Sequence, residues 1–267
     1  MLKIENLKKH YDNFFLECSL QVNPGQVTGL IGQNGSGKST TFKAILDLIH
    51  PDGGSITLFG KDNQDITPED KEKLGVVLSN SGFSGYLRIK DIIPILENMY
   101  RQFDSSFFIK QVQRFSLPMD KQIKDFSTGM KAKLKVLVAI SHGAKLLILD
   151  EPTAGLDPKG RDKILNRIKE LHDNTGIGVV LVSHSMEDVA NYAQRLIVIN
   201  NGKIKYDGMP KDVFKHYKEL EKMGLKAPQI TYIMHKLKEK GLDVDENVIT
   251  IEEARENIMQ CLNRKDI

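Results

Sequence analysis

An apolar stretch, Val27–Ile31, runs into Gly32-Gln33-Asn34-Gly35-Ser36-Gly37-Lys38-Ser39 and then, through Thr40, into a helix-forming stretch. No other feature of the chain restricts its fold as tightly. The pattern Gly-x-x-x-x-Gly-Lys-Ser between a strand and a helix has a specific physical use. Its glycines let successive backbone N–H groups turn inward around a polyphosphate. The helix N-terminus adds partial positive charge. Lys38 then reaches the β- and γ-phosphates, and the Ser39 hydroxyl is suited to ligate Mg²⁺. A chance glycine-rich turn has no reason to sit between a buried strand and a helix in this order.

Further runs extend the α/β pattern. Leu146–Leu149, Val179–Val182 and Leu196–Ile199 are continuously apolar, as expected of central parallel strands buried on both faces. Leu16 to Val22 and Ile56 to Leu58 alternate apolar and polar residues and predict half-exposed antiparallel strands. Helices are expected over Ser39–Ile49 and Lys159–His172. The stretch from about 81 to 145 is mostly helical in character, clearest at Ile92–Tyr100 and Gly129–Ile140, and reads as a helical subdomain inserted into the core. The expected fold class is α/β: a largely parallel sheet, an antiparallel β subdomain, the helical insertion and an α-rich C-terminal extension. We divide the chain into a main domain, 1–212, and an extension, 213–267. In the extension, two helical stretches flank a polar link, Gly241 to Asn247, and Thr250 with Glu253 predicts a capping box before the second.

Two other places carry chemistry. Leu146 to Leu149 ends in Asp150-Glu151. A carboxylate at a buried strand tip needs a cation or hydrogen bonds to offset its desolvation. Mg²⁺ would offset Asp150, and Glu151 would then orient or deprotonate an attacking water; a solvated strand end is the plainer reading. His184 follows the run Val179–Ser183, at the strand end where doubly wound sheets place their sites, although a lone histidine is more often structural. Tyr11, on a segment able to fold back over the phosphate loop, is either a stacking surface for adenine or an ordinary strand tyrosine.

The bulk numbers exclude little but do exclude something. The balance of 38 basic and 35 acidic side chains argues neither for nor against nucleic acid or an anionic membrane surface, but the chain carries no basic stripe, and no nucleic-acid partner is expected. No window approaches the roughly 20 apolar residues needed to cross a bilayer, so any membrane role requires docking to another chain. Cys18 and Cys261 lie in no ligand-spaced cluster and are expected as free buried thiols, as in a reducing cytoplasm.

The order of phosphate loop, Ser127-Thr128-Gly129-Met130, Asp150-Glu151, Ala154-Gly155-Leu156-Asp157 and Ser183-His184 resembles the ATPase domains of the ABC family, over roughly residues 1–210. The resemblance implies a P-loop NTPase (RecA-like) core. It further implies an ATP- and Mg²⁺-dependent ATPase that pairs head to tail with a second copy or a related ATPase. Each nucleotide would lie between one subunit's phosphate loop and the other's signature, Ser127 to Met130. Ser127 and Gly129 match the family's Leu-Ser-Gly-Gly-Gln, whereas Thr128 and Met130 depart from it. Asp157 matches the loop that links the two sites, and Tyr11 the adenine-stacking position. The strand Gly75 to Leu78 should end in a glutamine that touches Mg²⁺ and the membrane partner; Ser79 and then Asn80 stand there, and a weakened coupling of Mg²⁺ to the docking surface is expected.

The two halves resemble different branches. Up to about residue 175, the run Ser39-Thr40-Thr41-Phe42-Lys43 and the segment Leu78–Lys131 are similar to ABC-2-type exporters of drugs or peptides. From about residue 176, Ser183-His184-Ser185-Met186-Glu187-Asp188-Val189-Ala190 and the tail around Ala227-Pro228-Gln229-Ile230 are similar to the ATPases of vitamin and cobalt importers, the energy-coupling-factor class. A recombinant and a divergent member are both open. Because the expected docking surface lies in the exporter-like half, we expect an ATP-hydrolysing subunit that drives an integral-membrane partner in export, peripheral on the inner face of the cell membrane. The alternatives are an importer's energising subunit and, behind it, a non-transport soluble ABC ATPase. In the importer class the tail helps to pair subunits; a regulatory role and a small helical cap are the other readings of residues 213–267.

Overall fold

The computed structural model describes residues 1–78 and 82–263. Two sheets organise them. β1 (Leu2–Tyr11), β2 (Phe14–Val22), β4 (Gly53–Leu58) and β5 (Lys61–Asp62) form an antiparallel sheet in the order β2-β1-β4-β5. The second sheet has the order β10-β9-β3-β8-β7-β6, with β3 (Val27–Ile31), β6 (Leu74–Val77), β7 (Leu146–Asp150), β8 (Gly178–Val182), β9 (Arg195–Asn200) and β10 (Lys203–Gly208). All its pairings are parallel except β9 with β10. The strand that feeds the phosphate loop, β3, is therefore central, between β8 and β9.

Strand β7 shows why such runs read as continuously apolar. Leu147 and Leu149 enter a cluster with Phe108 and Leu137 of the helical insertion, while Leu146 and Ile148 enter another with Phe42, Ile4 and Leu16. One face is covered by helices and the other by the antiparallel sheet, so both faces must be apolar. Each fully buried leucine contributes about 1.5–3 kcal/mol relative to exposure.

After a short helix, α2 (Pro68–Lys71), the insertion comprises α3 (Ile89–Met99), α4 (Ser105–Arg114) and α5 (Thr128–Ala139). Its starts are capped from the sequence: Asp104 accepts from the Phe107 N–H and Ser127 from the Met130 N–H. After the phosphate loop, α1 covers only Lys38–Ile45, shorter than the expected 39–49. The cause is a Schellman-type ending. The Leu48 N–H reaches Lys43 O at 2.8 Å and the Asp47 N–H reaches Ala44 O at 3.1 Å, with Asp47 left-handed at φ 55°.

Beyond β10 come α8 (Pro210–Phe214), α9 (Tyr217–Lys222), α10 (Gln229–Glu239) and α11 (Ile251–Asn263). Thr250 Oγ1 accepts from the Glu253 N–H at 3.3 Å, as the capping box requires. The reciprocal bond lands one residue early, from the Ile249 N–H to Glu253 Oε2, and Glu253 also pairs with Lys211 of α8 at 2.7 Å. Cys18 and Cys261 are free and buried, and burial pushes the Cys18 thiol up to about 11, which makes it unreactive.

Candidate nucleotide site

The parallel register brings three strand ends level. Leu30 pairs with Val182 and Asp150 with Val182, so the residues after β3, β7 and β8 emerge side by side at the carboxyl edge of the sheet. There the loop Gly32–Gly37 turns into α1. Gly37 has φ 114°, and a Cβ on it would meet Leu16 Cδ1 at 2.8 Å. A Cβ on Gly32 would meet Ile199 O at 2.3 Å and Ser36 Oγ at 2.5 Å. Both glycines are therefore demanded by close approach, whereas Gly35 has open space around it and is demanded by its φ of 78°.

Lys38 is buried, and its ammonium donates to Gly32 O at 2.6 Å and Gln33 O at 2.9 Å. Burial pulls its pKa down, opposed by the charges of Glu151 and Asp150. Tyr11, Phe14, Asn34, Gly35, Gly37, Lys38, Ser39, Thr40, Asp150 and Glu151 line one cavity of about 360 Å³. Tyr11 is half exposed at its rim, 6.5 Å from the Phe14 ring.

Asp150 is buried at the tip of β7, and Glu151 leaves the strand in the left-handed region, φ 51°. Its N–H still bonds to Val182 O at 3.1 Å. Its carboxylate is 2.7 Å from His184 Nε2. The structure thus brings the acidic strand end, the histidine and the phosphate loop into one place. A hydroxyl (Ser39) and a carboxylate (Asp150) on the same cavity form an all-oxygen donor pair, which fits Mg²⁺ held jointly with phosphate oxygens. Among the described residues no cluster of three His, Cys, Asp or Glu could hold a metal by itself.

Ser127, Gly129 and Met130 lie outside that cavity. Ser127 caps α5, and Gly129 packs against the 154–157 loop, where a Cβ would lie 2.9 Å from Leu156 Cδ2. Thr128 lines a larger cleft, about 630 Å³, that also reaches Asp150 and Glu151. Asp157 caps α6 (Pro158–Thr175) through the Gly160 N–H at 3.0 Å. Ser79 and Asn80 lie outside the described residues.

One group was not singled out from sequence. Asp188, buried in α7 (Met186–Tyr192), accepts from Ser183 Oγ at 3.3 Å and lies 3.6 Å from Arg161 Nη1. Burial raises its pKa against the opposing charge of Arg161. The polar residues at the ends of a capped seven-residue helix gave no local sign of a partner on α6.

The family model for the ABC transporter matches residues 15–154. An energy-coupling factor transporter ATP-binding protein, EcfA2, from Clostridium tetani is 37% identical, over 99% of this chain and 98% of its own. A solved ATP-binding subunit of an ABC transporter has TM-score 0.74 and 25% identity over 89% of this chain and 99% of its own. The structure of cbiO1 from Clostridium perfringens, part of the ABC transporter complex cbiONQ, has TM-score 0.67 and 27% identity over 88% of this chain and 98% of its own.

Proposed function

The chain belongs to the ABC transporter family as an ATP-hydrolysing transport subunit, and from that premise we propose that it energises an energy-coupling-factor-type importer of a vitamin or metal ion. The observation that carries the direction is the extent of the Clostridium tetani match. It runs through the exporter-like first half and the tail alike, so it favours import over the export expected from residues 39–131 alone.

In this reading ATP occupies the cavity over the phosphate loop, with the backbone of Gly32, Gln33, Asn34, Gly35, Ser36 and Gly37 around the phosphates and Thr40 beside them. Tyr11 stacks on adenine. Lys38 leaves the carbonyls of Gly32 and Gln33 for the phosphates. Ser39 and Asp150 hold Mg²⁺, which when bound neutralises charge on the phosphate oxygens. Glu151 orients or deprotonates the water, and His184 contacts the γ-phosphate while holding Glu151 in place. Ser127, Thr128, Gly129 and Met130 cap a nucleotide held by a second ATPase subunit, identical or related. Asp157 links the two sites. ATP favours the closed pair and its hydrolysis releases it.

No described helix is long and apolar enough to cross a membrane. In the importer reading the chain acts from the cytoplasmic face on an integral-membrane partner, docked beside the residues near Ser79 and Asn80. Reconstitution of the complex in vesicles with the ATPase side and ATP inside tests the direction. Import predicts ATP-dependent accumulation of substrate inside, abolished by Lys38→Ala; clearance of preloaded substrate from the inside overturns it.

A further inference from the structure

The C-terminal extension touches the nucleotide-proximal loops of its own chain at three points. Gly224, in the turn after α9, faces the side chain of Gln33 so closely that a Cβ would lie 1.7 Å from Nε2. Leu225 and Ala227 are buried in one apolar cluster with Ile31, the residue before Gly32, and Met186, two residues beyond His184. The N–H of Gln229, the first residue of α10, donates to Glu187 Oε1 at 3.3 Å.

Glu187 is more than a surface acceptor. Its second oxygen accepts from Ser185 Oγ at 3.4 Å. Ser185 Oγ in turn caps α7 by accepting from the Asp188 N–H at 3.2 Å, and the Ser185 N–H donates to Ser183 Oγ at 3.1 Å. His184 therefore stands between two serines held in one hydrogen-bonded set, and Glu187 joins that set to the start of α10. A carboxylate at a helix start satisfies an otherwise unpaired N–H and interacts favourably with the helix dipole. The half-exposed His184 has little packing of its own, so its reach to Glu151 depends on these flanking contacts.

We propose that residues 224–229 form a strap that sets the position of His184 relative to the phosphate loop, with Glu187 as the positioning residue through which it acts. The extension then serves turnover within its own subunit, independently of any part in pairing subunits. This rests on the assignment of His184 and the phosphate loop to ATP turnover.

The sequence offers a clean perturbation. Gln229→Pro removes the N–H that Glu187 accepts, and the first helical position tolerates proline. Pro228 already has φ −53° and ψ 141°, a conformation compatible with a following proline. Gln229→Ala keeps the N–H and serves as the control. Measured on the full-length chain in its assembled ATPase pair, Gln229→Pro lowers kcat about two- to fivefold with KM for ATP and Tm unchanged, the scale of one charge-assisted bond at an exposed helix end. Glu187→Ala reproduces the loss, Gln229→Ala does not, and in a His184→Ala background Gln229→Pro adds nothing. Wild-type rates for both Gln229→Pro and Glu187→Ala, or a full further loss in the His184→Ala background, overturn the strap. If Gln229→Pro lowers Tm, Glu187→Ala alone and combined with His184→Ala decides the matter by the same criteria. A wild-type rate for His184→Ala overturns the role of His184 itself, and the strap with it.

Discussion

Glu151→Gln separates two magnitudes that the structure sets far apart. Glu151 is partly exposed, as is His184, and their 2.7 Å pair is surface-like. Such pairs are worth at most about 1 kcal/mol. Glutamine has the same shape and meets the same left-handed backbone, φ 51°, so it adds no strain that glutamate lacks. The fold should therefore lose less than about 1 kcal/mol, read as a small shift in a urea denaturation midpoint. Turnover should behave differently. A positioned base contributes about 10²–10⁴-fold, and the substitution should lower ATP hydrolysis by that range while leaving nucleotide binding intact. Phosphate release under saturating ATP gives the rate, and light scattering should show an ATP-dependent pair that persists. Hydrolysis at the wild-type rate by a folded Glu151→Gln protein would refute the assignment of the base. A rate loss matched by an equally large stability loss would refute the separation.

Two further substitutions probe the loop and the fold. Gly32→Ala places a methyl group 2.3 Å from a backbone oxygen of β9 and should abolish binding of a fluorescent ATP analogue, whereas Gly35→Ala, with open space and only its φ to satisfy, should cost about 1 kcal/mol and bind more weakly but detectably; equal affinities would contradict the close-approach argument. Asp70 is buried and held far below the usual carboxylate range by hydrogen bonds from Lys61 and Lys73, with Thr67 adding to them. A depressed folded-state value means a contribution that is complete above the unfolded value near pH 4 and is lost as pH falls toward the folded one. The stability advantage of wild type over Asp70→Asn should thus hold steady from pH 7 to about 5 and shrink below about 4, and a pH-independent difference in urea midpoints would contradict it.

What could be read from the chain beforehand follows the range of the interactions involved. The phosphate loop and Asp150-Glu151 are contiguous, and their spacing alone dictates a strand, a turn and a helix or a buried strand tip. Both-face burial of β7 was equally plain, because it needs only an unbroken apolar run. The end of α1 was not, since Asp47 adopts a left-handed conformation that carries no glycine to mark it. Gly224 against Gln33, Gln229 on Glu187 and Arg161 beside Asp188 join residues far apart in the chain, and each partner alone looks like an ordinary turn glycine or surface charge. Tyr11 lay between two readings because its neighbourhood is created by the pairing of β1 with β2, and only that pairing sets it beside the phosphate loop.

The two resemblances carried by the two halves admit a recombined chain, but the packing argues for halves shaped together. Val27 and Gln194 exchange two hydrogen bonds, N–H to Oε1 at 3.0 Å and N–H to O at 2.8 Å. Gly202 fits so tightly under β2 that a Cβ would lie 1.9 Å from Phe15 O, and its N–H donates to Ser36 O inside the phosphate loop. Ile31 shares a cluster with Phe214, Leu225 and Ile249. Close approaches of this kind tolerate mismatched volumes poorly, so halves from separate lineages would be expected to show strain along the join. The exporter-like signature then needs another explanation, and the geometry supplies one. In the proposed function Ser127 and the backbone N–H groups of the first residues of α5 meet the anion, and those groups are present whether Thr128 and Met130 or glycine and glutamine flank Gly129. A motif that met phosphate in that way, mainly through the backbone, would be under the same constraint whichever way the membrane partner moves its cargo, and so would carry no direction.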